Sequence, residues 1–174
     1  MLRLRGWTVG ILGFPIVGCA SLGPLGTADF EPTLRRDVPS IQGKLIYQAP
    51  ASLLYAMDGY DLSDAARVAS PFLAQGRYTV GHGVVVLTEE KLHFVKWSQA
   101  RYQHEWNLDY QRIRSIEVRS FGKGRRLVMK LDGEPEVVSF DITTNSGEII
   151  DKERTVAVCQ LIAQRLGTEC KLPL

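Results

Sequence analysis

The sequence predicts a mainly β domain of the α+β kind: a bent antiparallel sheet or open barrel of about six or seven strands, capped by one C-terminal α-helix. Three observations carry that prediction. From Tyr78 to Ile142 apolar residues recur at every second position in short runs parted by turn residues, the period of half-buried strands. The flanks of "RRLVMKLDGEPEVVSF" match face for face when a four-residue loop spans Asp132 to Pro135. Leu127 then lies opposite Phe140, Met129 opposite Val138 and Arg126 opposite Asp141, with Pro135 where no ladder hydrogen bond is needed. Finally, Val158, Leu161, Ile162 and Leu166 fall at i, i+3, i+4 and i+8, one apolar stripe of a helix that must be buried against the sheet.

The chain opens as a targeting segment. Arg3 and Arg5 precede an apolar run from Trp7 to Val17. A membrane-spanning helix needs about 20 apolar residues, whereas this run is shorter, is broken by Pro15 and ends in small residues. The four residues that close it, Ile16-Val17-Gly18-Cys19, resemble the lipobox of bacterial lipoproteins. The resemblance implies cleavage before Cys19, a thioether-linked diacylglycerol on its sulfur and, in many species, a further acyl chain such as palmitate on the new amine. Two or more buried chains make a firm anchor. Ala20, where enteric inner-membrane lipoproteins carry aspartate, implies the periplasmic face of the outer membrane. The expected organisation is a signal peptide over 1–18, a lipidated N-terminus and flexible tether over 19–43, and one globular domain over 44–174. The tether is rich in glycine, proline and small residues, and as a coil it would hold the domain roughly 25 to 30 Å from its anchor.

Each element of the domain follows in order. Residues 44–75 read as a short helical lead-in: an apolar run at Leu45 to Tyr47, then short helices near Ser52 to Met57 and Ser63 to Ala69, with Ser63 as N-cap. Asp58, Asp61 and Asp64 lack the alternate-residue spacing of a calcium loop and are assigned to turns and caps. Strands are expected near 80–87, 91–97, 103–108, 113–120, 125–131 and 136–142 within a core spanning 78–166. The closing helix runs from Lys152 to Leu166, with Asp151 as N-cap and Gly167 at C′.

The hairpin "VVVLTEEKLHFVKW" followed by "LDYQRIRSIEV" resembles the pleckstrin-homology-like fold, including its GRAM-like members. That resemblance implies a helix plugging one end of a bent sheet, and a binding function exercised through rim loops or a strand edge, with lipid headgroups, peptides or proteins as ligands. Phosphoinositide-binding members place basic residues in the first hairpin loop, where this chain has Thr88, Glu89, Glu90 and Lys91.

Charge narrows the function classes. The whole chain carries 21 basic and 19 acidic residues, and loss of Arg3 and Arg5 with the signal peptide balances them. Attraction of the whole molecule to nucleic acid or to a membrane is therefore unsupported. Residues 112–130 hold Arg112, Arg114, Arg119, Lys123, Arg125, Arg126 and Lys130 against Glu117, while Asp132, Glu134, Glu136, Asp141, Glu148 and Asp151 follow without a base. Cross-strand pairing accounts for most of these two blocks. The loop "SFGKGRR" is left over, so Phe121, Lys123, Arg125 and Arg126 form the candidate binding surface, with anionic lipid headgroups or envelope glycans as the alternative ligand class. Neither Gly122-Lys123-Gly124 nor Ser120-x-x-Lys123 has the flanking helix that a phosphate loop or a serine nucleophile requires. His82, His93 and His104 recur every eleven residues, but with turns near 88–91 and 98–103 they are too far apart to share a metal. No cofactor, metal site or catalytic group is expected. Cys159 and Cys170 are a candidate disulfide in an oxidising compartment, and spacing alone leaves reduced thiols equally open. The function expected is a non-catalytic adaptor lipoprotein that binds an envelope protein partner.

Overall fold

The computed structural model describes residues 22–56, 77–121, 124–133, 135–145 and 149–173. Seven strands form one antiparallel sheet: β1 (Leu45–Ala56), β2 (Arg77–Thr88), β3 (Lys91–Ser98), β4 (Arg101–Asp109), β5 (Ile113–Phe121), β6 (Gly124–Leu131) and β7 (Val137–Ile142). Their spatial order is β4-β3-β2-β1-β7-β6-β5. A short 3-10 turn, Tyr110–Arg112, links β4 to β5, and helix α2 (Lys152–Leu166) packs on β5, β6 and β7.

The sheet folds over on itself. Four strand spacings separate β4 from β7, about 19 Å if the sheet were flat. Yet the rings of Trp106 on β4 and Phe140 on β7 lie 6.0 Å apart, and Phe94 on β3 is equally close to Phe140. The main core fills the fold with Leu53, Val85, Leu87, Phe94, Leu127, Met129, Val138 and Phe140, and α2 closes it with Val158, Cys159, Ile162 and Ala163. The helix begins and ends where its sequence signals place it. The Asp151 carboxylate accepts from the Arg154 N–H at 3.0 Å, and Gly167 takes the left-handed conformation at φ 65°. The predicted β6–β7 register holds too, with Leu127 opposite Phe140 and Met129 opposite Val138.

Two expectations are corrected. Residues 52–56 are not helical: they continue β1, paired with β2 on one side and β7 on the other. The second expected helix, with Ser63 and the three aspartates, lies outside the described residues.

The second correction concerns the tether, because residues 22–43 belong to the domain. Helix α1 (Phe30–Asp37) lies on the outer face of the sheet, where Phe30, Leu34, Val38 and Ile41 form a second core with Val84, Val86, Val95 and Tyr102. Strand β2 is thus buried on both faces, Val84 and Val86 toward α1 and Val85 and Leu87 toward the main core. That is why Val84 to Leu87 form an unbroken apolar run rather than an alternating one.

Cys159 and Cys170 are joined as a disulfide, with their Cα atoms 5.7 Å apart. The bridge holds the segment after α2 against β5, where Val118 N–H donates to the Lys171 carbonyl at 2.7 Å.

Candidate binding site

Of the surface expected at 119–126, Arg126 is taken up inside the fold. Arg126 is only 5% exposed, and its guanidinium donates two hydrogen bonds of 2.6 Å to the Asp141 carboxylate on the neighbouring strand. It is an internal ion pair rather than a ligand contact, and the register that set Arg126 opposite Asp141 accounts for it. Arg125 is half-buried on β6. Phe121 ends β5 with its side chain outside the described residues, and Lys123 lies outside them altogether. The two charge blocks meet through Arg126–Asp141 and Arg114–Asp132, the latter at 2.5 Å, whereas Arg119 departs from that pattern and turns to Glu117 on its own strand at 2.7 Å.

A different group of polar residues converges on the outer face of β3 and β4. The hairpin between these strands turns in two residues, Gln99 and Ala100, both at positive φ (52° and 58°), so Ser98 pairs with Arg101 and Trp97 with Tyr102. The register then slips, because Phe94 pairs with Trp106 while Val95 pairs with His104, leaving Glu105 as the extra residue of a β-bulge. The bulge reverses the alternation along β4. Tyr102 packs outward under α1, whereas Trp106 and Leu108 point into the main core. His104 is thereby carried to the side of His93, with Nδ1 of His93 and Nε2 of His104 at 3.3 Å. The expectation of well-separated histidines fails for this pair, since it assumed a longer turn and no bulge.

These two rings sit in a cleft of about 510 Å³ whose wall is completed by Ser40, Gln42, Thr88, Glu90, Lys91 and Asn107. His93 is 4% exposed. Burial, with His104 and Lys91 adding to it, pushes its imidazole down to about 4, and burial lowers His104 as well. A neutral imidazole has one donor and one acceptor nitrogen, and the two rings spend one of each on the other. The cleft is thus polar, and Glu90 and Lys91 put both signs of charge on its wall. Among the described residues no group of three or more histidine, cysteine or acidic side chains is placed to hold a metal.

The wall of this cleft includes residues from the supposed tether. Tyr102 N–H donates to Asp37 at 2.9 Å, which caps the start of β4 from the end of α1. Arg35 pairs with Glu31 at 2.6 Å and donates to the Gly43 carbonyl at 2.9 Å, fixing the turn that carries Ser40 and Gln42.

No family model matches this chain, and comparison with curated proteins gives no match either. Among solved structures, the chain is similar to part of human RhoA in complex with the DH/PH fragment of PDZRHOGEF. That likeness has 12% identity and a TM-score of 0.44 over 71% of this chain and 29% of that one. It is similar to the hSac2 domain of human phosphoinositide phosphatase Sac2 at 10% identity and TM-score 0.46, over 83% of this chain and 84% of the other. The DH/PH domains of p115-RhoGEF match at 14% identity and TM-score 0.43, over 84% and 37%. This chain thus spans under a third of the first neighbour's length. The fold class rests on the strand order and the position of the closing helix. It is a mainly β fold, one bent seven-stranded antiparallel sheet closed by a C-terminal helix.

Proposed function

We propose that the protein is a lipid-anchored, non-catalytic binding module on the periplasmic face of the outer membrane, recruiting a protein partner. The observation that carries this reading is the lipobox-like Ile16-Val17-Gly18-Cys19, whose cysteine stands three residues ahead of Leu22, the first described residue and one packed on the domain. The Cys159–Cys170 disulfide suits an oxidising envelope compartment.

The partner's place is the outer edge of β4 beyond Tyr102, whose N–H is taken by Asp37, together with the adjoining His93–His104 cleft. An extended segment can add to such an edge through its backbone while a polar side chain enters the cleft. The test is crosslinking of the intact lipoprotein in membranes, wild type against Asn107→Arg, which fills the cleft mouth from an exposed position. A crosslinked partner lost in the variant is the expected result; an identical set of partners in both counts against the cleft. Binding of the unlipidated domain to anionic vesicles, abolished by Lys123→Glu with Arg125→Glu, would instead favour the headgroup reading.

A further inference from the structure

We infer that the β3–β4 hairpin faces the bilayer and that the domain rests on the lipid surface instead of hanging above it. The inference depends on Cys19 being acylated, as proposed above, and adds the orientation.

The first described residues, Leu22 and Gly23, are held at that hairpin. The Leu22 carbonyl accepts a hydrogen bond of 2.8 Å from the Tyr102 hydroxyl. Gly23, at φ 65°, lies flat against the Trp97 indole, so close that a Cβ there would come within 2.5 Å of the ring. Tyr102 and Trp97 are paired across β3 and β4, one step from the hairpin turn. Leu22 is therefore latched beside that turn, and Phe30 and Leu34 follow it into the second core. Only three residue steps separate the Cα atoms of Cys19 and Leu22, and even a fully extended chain spans no more than about 11 Å over three steps. A lipid on Cys19 thus brings the hairpin end of the domain to within one short tether of the headgroups.

Charge agrees with that placement. The near turn, Ser98 to Arg101, is exposed and carries Arg101, which suits an anionic surface. At the other end of β3 the turn consists of Glu89 and Glu90, which such a surface repels. The eight residues of β3 set the two turns roughly 23 Å apart along the strand.

The experiment uses full-length lipoprotein carrying Ser98→Cys or Glu89→Cys, both exposed positions. With Cys19 acylated and Cys159 bridged to Cys170, the introduced thiol is the one that takes a fluorophore. After reconstitution into phosphatidylethanolamine/phosphatidylglycerol vesicles with spin-labelled headgroups, the label at 98 should be quenched several-fold more than the label at 89. Inserting about twenty Gly/Ser residues after Ala20, enough for an average reach of roughly 25 Å, should remove the difference. Equal quenching at both positions, in protein whose N-terminal peptide has the mass of an acylated cysteine, overturns the orientation and leaves the anchor intact. An unmodified Cys19 with no flotation on vesicles overturns both.

Discussion

Arg126 shows how one residue can satisfy two readings of a sequence, only one of which survives folding. Its place in a basic loop made it a ligand candidate, while its register made it the partner of Asp141, and burial decides for the second. A buried ion pair is unforgiving when halved, because the remaining charge has lost both water and its partner. Asp141→Ala should destabilise the domain by about 3–5 kcal/mol, whereas replacing both residues by apolar ones of similar size should recover most of that loss. Urea unfolding of the single and double variants measures the difference. The pairing was legible because two faces of one hairpin had to agree. The His93–His104 contact was not, since a bulge at Glu105 inserts one residue into β4 and nothing in "YQHEWNLD" announces where the alternation breaks.

Helix α1 is where composition misled. Phe30, Leu34 and Val38 do recur at i, i+4 and i+8, but over only eight helical residues, with Pro32 in the first turn and a glycine-rich lead. So short a helix has little stability of its own and forms because its apolar side is buried on the sheet. Phe30→Ala should therefore cost about 3–5 kcal/mol, read as a fall in the urea midpoint; a mere tether would show no change. In β1, the run "APASLLYA" contains good helix formers, and pairing on both edges overrides that preference. Helix α2 was legible for the opposite reason: it is 15 residues long, capped by Asp151 and stopped by Gly167.

For the molecule as a whole, the two outward histidines couple stability to pH. His93 is held near 4 in the folded state, chiefly by burial, and His104 is lowered by the same cause. The unfolded chain takes up protons from about pH 6.5 downward that the folded chain refuses. Stability from this source is thus complete above that value and is lost as the pH falls toward 4, by about 1–3 kcal/mol. Urea midpoints followed across this window should drop in the wild type and drop less in His93→Gln.

The Lys171 contact on β5 has a consequence for how copies of this molecule can meet. A sheet polymerises only when both of its outer strands can accept a neighbour. Here one of the two is already stoppered by the protein's own backbone, through Val118 and Lys171, and the bridge from Cys170 keeps the stopper in place. Copies can join through β4 in twos, but such a pair presents two blocked flanks and a fibril has nowhere to continue.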